Sequence, residues 1–310
     1  MTQVVYPSLR LSANGAAALL DTVERGYRVC DLPSGAVRWD LSAEGDLSHL
    51  SLSASGNAVA WLGENADVSI LTEAGKKTVI LPATGDRIRA IAPADTAACI
   101  AALIAAGSKD APDGGRARLV IVPGRPDDDA PTVAGIPVYD RGFLLANDDC
   151  SLLAVESSSN LGDRTFGGAY ARDGDTLRSL WTEQPAPVPH GALALYGEWL
   201  FAATADGLAG WRRSGDRVSL PGTMREQLIF SRDGRYLLAF RVEEVVEVTS
   251  ARTLVRLIDR ESLKEVRRAT HLIADRHDAH FALDADFGLF EVRATKSGDL
   301  AAKKLDWHSS

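Results

Sequence analysis

A turn-flanked hairpin recurs seven times along this chain of 310 residues. In the first copy, residues 27–37, an apolar-alternating run is followed by a polar turn and a second run. Successive turns lie 40, 49, 50, 41, 47 and 36 residues apart, counted from one residue in each: Gly35, Gly75, Gly124, Gly174, Gly215, Ser262 and Gly298. A period near 40 residues with strand-turn-strand content is typical of β-propeller blades.

A second hairpin precedes each copy of the first. Asn-Gly and Asp-Gly pairs favour the positive backbone angles of tight hairpins. The turns of this second hairpin lie at Asn14-Gly15, Ser55-Gly56, Tyr196-Gly197, Asp233-Gly234 and Phe287-Gly288, with weaker forms at Asp95-Thr96 and Asp148-Asp149. Two hairpins per period make four antiparallel strands per blade. We therefore predict an all-β, seven-bladed propeller forming a single domain over residues 1–310. The predicted blades span residues 4–42, 46–81, 86–135, 136–184, 188–222, 224–270 and 271–307.

One hairpin carries a family resemblance. The segment Phe230-Ser231-Arg232-Asp233-Gly234-Arg235-Tyr236-Leu237 resembles the inner-hairpin motif of bacterial propellers of the WD-repeat and YVTN-like kinds. The end of a third strand at Val29-Cys30-Asp31 is similar to the family pattern, with Cys30 where Trp is usual. No Gly-His pair opens a blade, and the pair Trp39-Asp40 falls in a fourth strand. The resemblance implies a β-propeller fold. It also implies that the protein acts as a scaffold inside a bacterial multiprotein assembly.

Charge and composition restrict the partners. The formal net charge is −8, with 42 acidic and 34 basic residues and no dense basic cluster, so we predict no nucleic-acid binding. We predict no membrane association, because no run approaches the ~18 apolar residues that cross a bilayer. The start of the sequence does not resemble a signal peptide. Three widely spaced cysteines suit buried packing in a reducing cytoplasm.

An Ala-rich run over residues 96–106 leaves two structures open. Its residue propensities favour a helix. Its place in the blade period favours paired strands, which is the prediction we adopt. For the tryptophans inside the predicted strands we expect packing between blades.

Three blades carry extra residues between their second and third strands, at residues 106–115, 156–166 and 241–250. In an up-down blade these connections emerge on one face, which predicts a loop-rich surface for another protein. The alternative is tolerated length variation. The third insertion interleaves valines and glutamates, which fits either two long strands or an exposed docking ribbon. The predicted partner-binding residues are Val242, Glu243, Glu244, Val245, Val246, Glu247, Arg164 and Phe166.

Candidate catalytic and metal-binding residues are sparse. His277 and His280 have a spacing that binds a metal only if the backbone turns there. We expect no cofactor and predict a non-catalytic scaffold. The alternative is a lactonase-like hydrolase with its site at a channel mouth, and its candidate residues are His190, His277, His280, Asp148 and Asp275.

We also predict that only Val4-Val5-Tyr6 could add a strand that closes the ring of blades.

Overall fold

The computed structural model of the protein describes most of the chain. The described residues are 8–22, 26–44, 47–63, 67–83, 87–105, 116–123, 132–139, 141–159, 164–183, 193–204, 206–222, 226–247, 250–274, 280–295 and 297–307. Within these ranges the chain forms β-strands and one 3-10 turn (Ser42–Glu44), and no α-helix.

The strands form six sheets, A to F, in chain order. Sheet A contains β1 (Ser8–Leu11), β2 (Ala17–Asp21), β3 (Tyr27–Asp31) and β4 (Val37–Asp40). Sheet B contains β5 (Ser48–Leu52), β6 (Ala58–Leu62), β7 (Asp67–Thr72) and β8 (Gly75–Ile80). Sheet C contains β9 (Ile88–Pro93), β10 (Cys99–Ala105), β11 (Arg116–Pro123), β12 (Thr132–Pro137), β13 (Arg141–Ala146), β14 (Leu152–Ser158), β15 (Thr165–Asp173) and β16 (Thr176–Glu183). Sheet D contains β17 (Leu193–Tyr196), β18 (Trp199–Thr204), β19 (Gly207–Arg212) and β20 (Arg217–Leu220). Sheet E contains β21 (Gln227–Phe230), β22 (Tyr236–Val245), β23 (Ser250–Asp259) and β24 (Lys264–Ala274), and sheet F contains β25 (His280–Leu283), β26 (Leu289–Ala294) and β27 (Leu300–Leu305).

Antiparallel pairing of chain neighbours builds every sheet. Sheets A, B, D and E are four-stranded meanders. Sheet C joins two such meanders, β9–β12 and β13–β16, through a single parallel bridge between Thr132 and Thr176. The arrangement is therefore propeller-like, as predicted.

The turn between the first and second strands repeats the same geometry in six places. We call it the first-hairpin turn. Its first residue accepts a hydrogen bond from the N–H three positions later, and the residue at that later position has positive φ. The positive-φ residues are Gly15, Gly56, Ala97, Cys150, Gly234 and Phe287. Glycine adopts this conformation at least cost, which is why the Gly-containing turns are visible in the sequence.

The chain divides into two compact units. Unit 1 comprises residues 1–46 and 225–310 with sheets A, E and F, and unit 2 comprises residues 47–224 with sheets B, C and D. In unit 1, Leu20 and Ala18 of sheet A share an apolar cluster with Ala282 and Val292 of sheet F. The first and last sheets of the chain therefore pack against each other.

The core of unit 1 also joins sheets E and F. Leu238 and Val255 of sheet E cluster there with Phe281 and Leu283 of sheet F. This cluster therefore joins sheet E to sheet F.

In unit 2, two further clusters join consecutive meanders. Ile70 of sheet B packs with Ile100 of sheet C, and Leu103 of β10 packs with Val155 of β14. Sheets C and D meet through the stacked rings of Trp181 and Trp211, whose centroids are 5.1 Å apart. This contact confirms tryptophan packing between blades at one predicted position.

Several local predictions are confirmed. The Ala-rich run forms β10, because its residues pair on both sides with β9 and β11. Cys30, Cys99 and Cys150 are free and buried. Trp39-Asp40 ends a fourth strand, β4.

The last blade differs from its prediction. Residues 271–274 belong to β24 of sheet E, beyond the predicted boundary at 270. Sheet F has three described strands where four were predicted, because β26 serves both as the second strand of one hairpin and the first strand of the next. The proposed closing segment Val4-Val5-Tyr6 lies outside the described residues.

Candidate functional site

Sheet E projects beyond its own first strand. β22 and β23 contain 10 residues each and β24 contains 11, whereas β21 contains 4. β21 pairs with β22 only as far as Phe240. From Arg241 onward, up to the pair Val245–Ala251, β23 is the only described strand that pairs with this part of β22. We call residues 241–247, 250–253 and 271–273 the sheet E tip.

The insertion at 241–250 therefore consists largely of two long strands. A register shift lies between Val242 and Glu244, so Glu243 is the extra residue of a bulge. The turn is held by the Val246 and Glu247 N–H groups, which donate to the Ser250 carbonyl at 3.1 and 3.2 Å. A bulge and a short turn hold the ribbon in one register.

Exposed apolar side chains concentrate on this tip. Val242, Val245, Val246 and Leu272 have exposed fractions of 43, 51, 48 and 66%. Among the described residues, the other large apolar side chains that are this exposed are scattered: Val37, Ile80, Phe143 and Val266. By register, Val245 lies on the same face as the buried Ala251 and Ile273, whereas Leu272 lies on the opposite face beside Arg252. Exposed apolar side chains at the end of a sheet are a feature of interaction sites.

Acidic side chains surround the tip valines. Glu243 lies 3.5 Å from Arg241, and Glu244 lies 3.5 Å from Arg252. Exposed pairs at this distance contribute little to stability, so a partner's charges could replace them at small cost. Glu247 is exposed at the turn. The tip thus combines apolar contact area with negative charge.

A buried ion pair anchors the base of the tip. The Arg256 guanidinium on β23 donates to both carboxylate oxygens of Glu226, just before β21, at 2.6 and 2.7 Å. Their side chains are 8 and 1% exposed. Buried charges need such bidentate pairing to offset lost hydration. The ion pair fixes β23 relative to the start of β21, next to the residues at which β22 extends past β21.

A groove of about 620 Å³ lies on the outer strands of sheets E and F. Arg267 of β24 lies over the Trp307 ring, 5.8 Å from its centroid, and Trp307 Nε1 donates to the Phe287 carbonyl at 2.9 Å. Arg268 and Lys304 also line the groove. Its lining combines aromatic and basic side chains with the carboxylates of Asp286 and Asp306.

The two remaining predicted docking residues, Arg164 and Phe166, differ in their exposure to solvent. Arg164 is exposed directly before β15. Phe166 is only 4% exposed, because its ring belongs to the apolar cluster of sheet C. Burial follows from tertiary packing, so the alternation of the sequence could not reveal it. Phe166 is therefore excluded from the docking surface that we propose below.

The predicted catalytic residues are only partly described. His190, Asp275 and His277 lie outside the described residues. His280 begins β25 in unit 1, and Asp148 lies in a first-hairpin turn of unit 2. Within the described part of the chain, no group of three or more His, Cys, Asp or Glu side chains is arranged to hold a metal. Among the residues that the structure describes, no helix is long and apolar enough to cross a bilayer.

Two side-chain contacts in unit 2 were not anticipated from the sequence. Asp148 hydrogen-bonds Asp95 of the preceding first-hairpin turn, and burial together with this contact raises the pKa of Asp148 to about 6. The thiols of Cys99 and Cys150 also meet. Each contact joins two turns far apart in sequence, and only the similar position of these residues in the repeat could have suggested it.

Comparisons with known proteins support the fold alone. No protein-family model matches the chain. No curated protein matches it. Among solved structures, a crystal structure of the eukaryotic initiation factor aligns with a TM-score of 0.53 at 12% identity, over 98% of this chain and 79% of its own. As many as 996 solved chains match, so the likeness identifies a widespread architecture. Together with the meander sheets, it supports a β-propeller fold.

Proposed function

We propose that the protein is a non-catalytic scaffold that binds another protein through the sheet E tip. The observation that carries this proposal is the occurrence of four exposed apolar side chains on the sheet E tip: Val242, Val245, Val246 and Leu272. Other side chains of the tip are buried, among them Ala251, Thr253 and Ile273. A partner that covers the exposed side chains removes their apolar surface from water, which stabilises the complex.

The chemistry of the tip defines the partner. Covering the four half-exposed side chains contributes about 1 kcal/mol each. Glu243, Glu244 and Glu247 lie beside them and favour a partner with Lys or Arg at the rim of the contact. A stable complex buries about 1,200–2,000 Å² in total, so the partner must extend beyond the tip. We propose a protein with an apolar groove edged by basic residues.

The number of blades, the cellular location and the multiprotein assembly are also part of the proposal. Six complete four-stranded meanders and the three strands of sheet F are consistent with seven blades of the WD-repeat-like kind. Three free, buried thiols are consistent with a bacterial cytoplasmic protein in a multiprotein assembly. A rigid set of sheets would hold the tip in a fixed position for docking.

Affinity purification followed by reconstitution tests the proposal. The protein and a V242S/V245S/V246S variant would each be used to capture partners, and a captured partner would then be purified and titrated. We expect the triple variant to weaken Kd at least about 30-fold, since it removes about 2 kcal/mol of apolar contact. The matched control is Ile80→Ser, because Ile80 is 74% exposed on β8 of unit 2.

Two outcomes would refute the proposal. One is a partner that binds the triple variant as tightly as the unchanged protein. The other is an equal loss with Ile80→Ser, which would indicate general surface stickiness. Circular dichroism must show that both variants keep their sheet content, and the exposed positions of the replaced side chains make this the expected result.

A further inference from the structure

We propose that Cys99 and Cys150 form a reversible oxidation site, at which a peroxide converts the two thiols into an intramolecular disulfide. The site would join the two meanders of sheet C. Cys99 begins β10, and Cys150 lies in the first-hairpin turn between β13 and β14. This inference is independent of the proposed docking surface.

The two thiols are in contact in the folded protein. Cys99 Sγ lies 3.4 Å from the carbonyl oxygen of Asp149, the residue that precedes Cys150. The thiols of Cys99 and Cys150 hydrogen-bond each other. Both side chains belong to the same apolar cluster, with exposed fractions of 6 and 0%. Bond formation therefore joins two thiols that are neighbours in one buried cluster.

The backbone places Cys150 at a position where glycine costs least. Its φ is +56°, and glycine occupies the equivalent position of three other first-hairpin turns: Gly15, Gly56 and Gly234. A side chain at such a φ is strained. The turn is nonetheless well bonded, since Cys150 N–H donates to the Asn147 carbonyl at 3.1 Å. The strained backbone thus directs a thiol against Cys99 where no side chain is required for the turn.

The surroundings give the two thiols different roles. The hydrogen bond from Cys150 and the positive charges of Arg172 and Lys77 outweigh burial and lower the pKa of Cys99. The same hydrogen bond, together with burial, raises the pKa of Cys150. Cys99 is also the more accessible thiol, 6% exposed against 0% for Cys150, so we assign the attack on the oxidant to Cys99 and the second step to Cys150.

The reaction balances with hydrogen peroxide as oxidant. The Cys99 thiolate attacks one peroxide oxygen, the O–O bond breaks, and Cys99 becomes a sulfenic acid while the leaving hydroxide takes a proton to form water. Cys150 sulfur then attacks Cys99 sulfur. The S–S bond forms, the S–O bond breaks, and the departing hydroxide takes the Cys150 proton as a second water. Two thiols are oxidised and one peroxide is reduced; a thiol reductant reverses the bond by exchange.

Thiol counting with peptide mapping tests the proposal. The folded protein would be treated with hydrogen peroxide, quenched, denatured and titrated with a thiol reagent. We expect the three titratable thiols of the chain to fall to one, Cys30. Mass spectrometry should find one peptide pair linking Cys99 to Cys150, which dithiothreitol removes.

Variants separate the site from general oxidation. Cys30→Ser should still lose two thiols, whereas Cys150→Gly should form no disulfide and leave a sulfenic acid on Cys99 that dimedone traps. Cys150→Gly is chosen because glycine suits the positive φ, so the variant is expected to fold. The proposal is wrong if three thiols survive peroxide that fully oxidises free glutathione. It is equally wrong if the linked peptides include Cys30, or if Cys99 is oxidised to the sulfinic acid in the unchanged protein without any disulfide.

Discussion

At the scale of single residues, the pKa values of two neighbouring aspartates are shifted in opposite directions. Burial, the hydrogen bond with Asp95 and repulsion from Asp95 and Asp149 raise the pKa of Asp148 from 3.8 to about 6. For Asp149, burial is outweighed by hydrogen bonds from Ser151 and by the charge of Arg213, so its pKa is lowered. One turn therefore contains a carboxyl group that resists ionisation and another that favours it.

Asp148→Asn should stabilise the protein at neutral pH. A carboxyl group with a raised pKa stabilises the fold while protonated, below pH ~4, and this contribution is lost as the pH rises through about 6. Asparagine stays neutral and can still donate to Asp95. We expect the variant to unfold at higher urea concentration at pH 7 and to lose the decline between pH 4 and 6. The effect should be modest, because the Asp148 side chain is exposed and solvent screens its charge. Urea titrations at several pH values measure it.

Asp149→Asn is the matched control and should have the opposite sign. A lowered pKa contributes stability that is present above the unfolded pKa and lost as the pH falls. Removing this charge should destabilise the protein at pH 7, since the Ser151 N–H loses a carboxylate acceptor 3.0 Å away. If both variants shift stability in the same direction, the assignment of opposite environments is incorrect.

At the scale of elements, the first-hairpin turn should be the most sensitive local feature. Gly234 has φ +67°, and its N–H donates to the Ser231 carbonyl at 2.8 Å. Gly234→Ala should lower the free energy of unfolding by about 1 kcal/mol, because a Cβ is strained at this φ. Gly142→Ala is the control: its added Cβ would meet neighbours at 3.6 Å, an ordinary contact. Urea denaturation of both variants compares them, and an equal loss would contradict the role of φ.

These turns explain how much of the fold the sequence could predict. Asn-Gly, Asp-Gly and Ser-Gly pairs mark the hairpins because the preference for positive φ is local, and so the strand pattern was predicted closely. Ala97 and Phe287 occupy the same position without glycine, so their turns were weaker in the sequence.

The candidate site was harder to predict, because it depends on tertiary contacts. The valine-glutamate alternation at 242–247 indicated extended structure correctly, but not that β21 would end short of it. Phe166 looked like a loop residue and is core, since β14 and β15 run through the predicted insertion. The contact between Cys99 and Cys150 depends on how two meanders pack, and neither residue's neighbours in the sequence encode that packing.

At the scale of the whole molecule, the ends of the chain depend on each other. Sheet A, from the first residues described, and sheet F, from the last, share one buried cluster. Unit 1 therefore contains both ends of the chain and includes contacts of very long sequence separation. Closing loops of this length costs conformational entropy, so these contacts should respond to mutation together.

A double-mutant cycle across this cluster tests that dependence. Leu20→Ala and Val292→Ala, which truncate side chains 1 and 0% exposed, should each lower the free energy of unfolding, Leu20→Ala by about 3 kcal/mol. Since both belong to one cluster, the double variant should depart from additivity by about 0.5 kcal/mol or more. Leu20→Ala combined with Phe240→Leu is the control, because Phe240 lies in the separate cluster between sheets E and F. Additive losses in the first pair would mean that sheets A and F stabilise the protein independently. Urea denaturation followed by near-ultraviolet and far-ultraviolet circular dichroism measures the unchanged protein, the three single variants and the two double variants, and shows whether each unfolds in one transition.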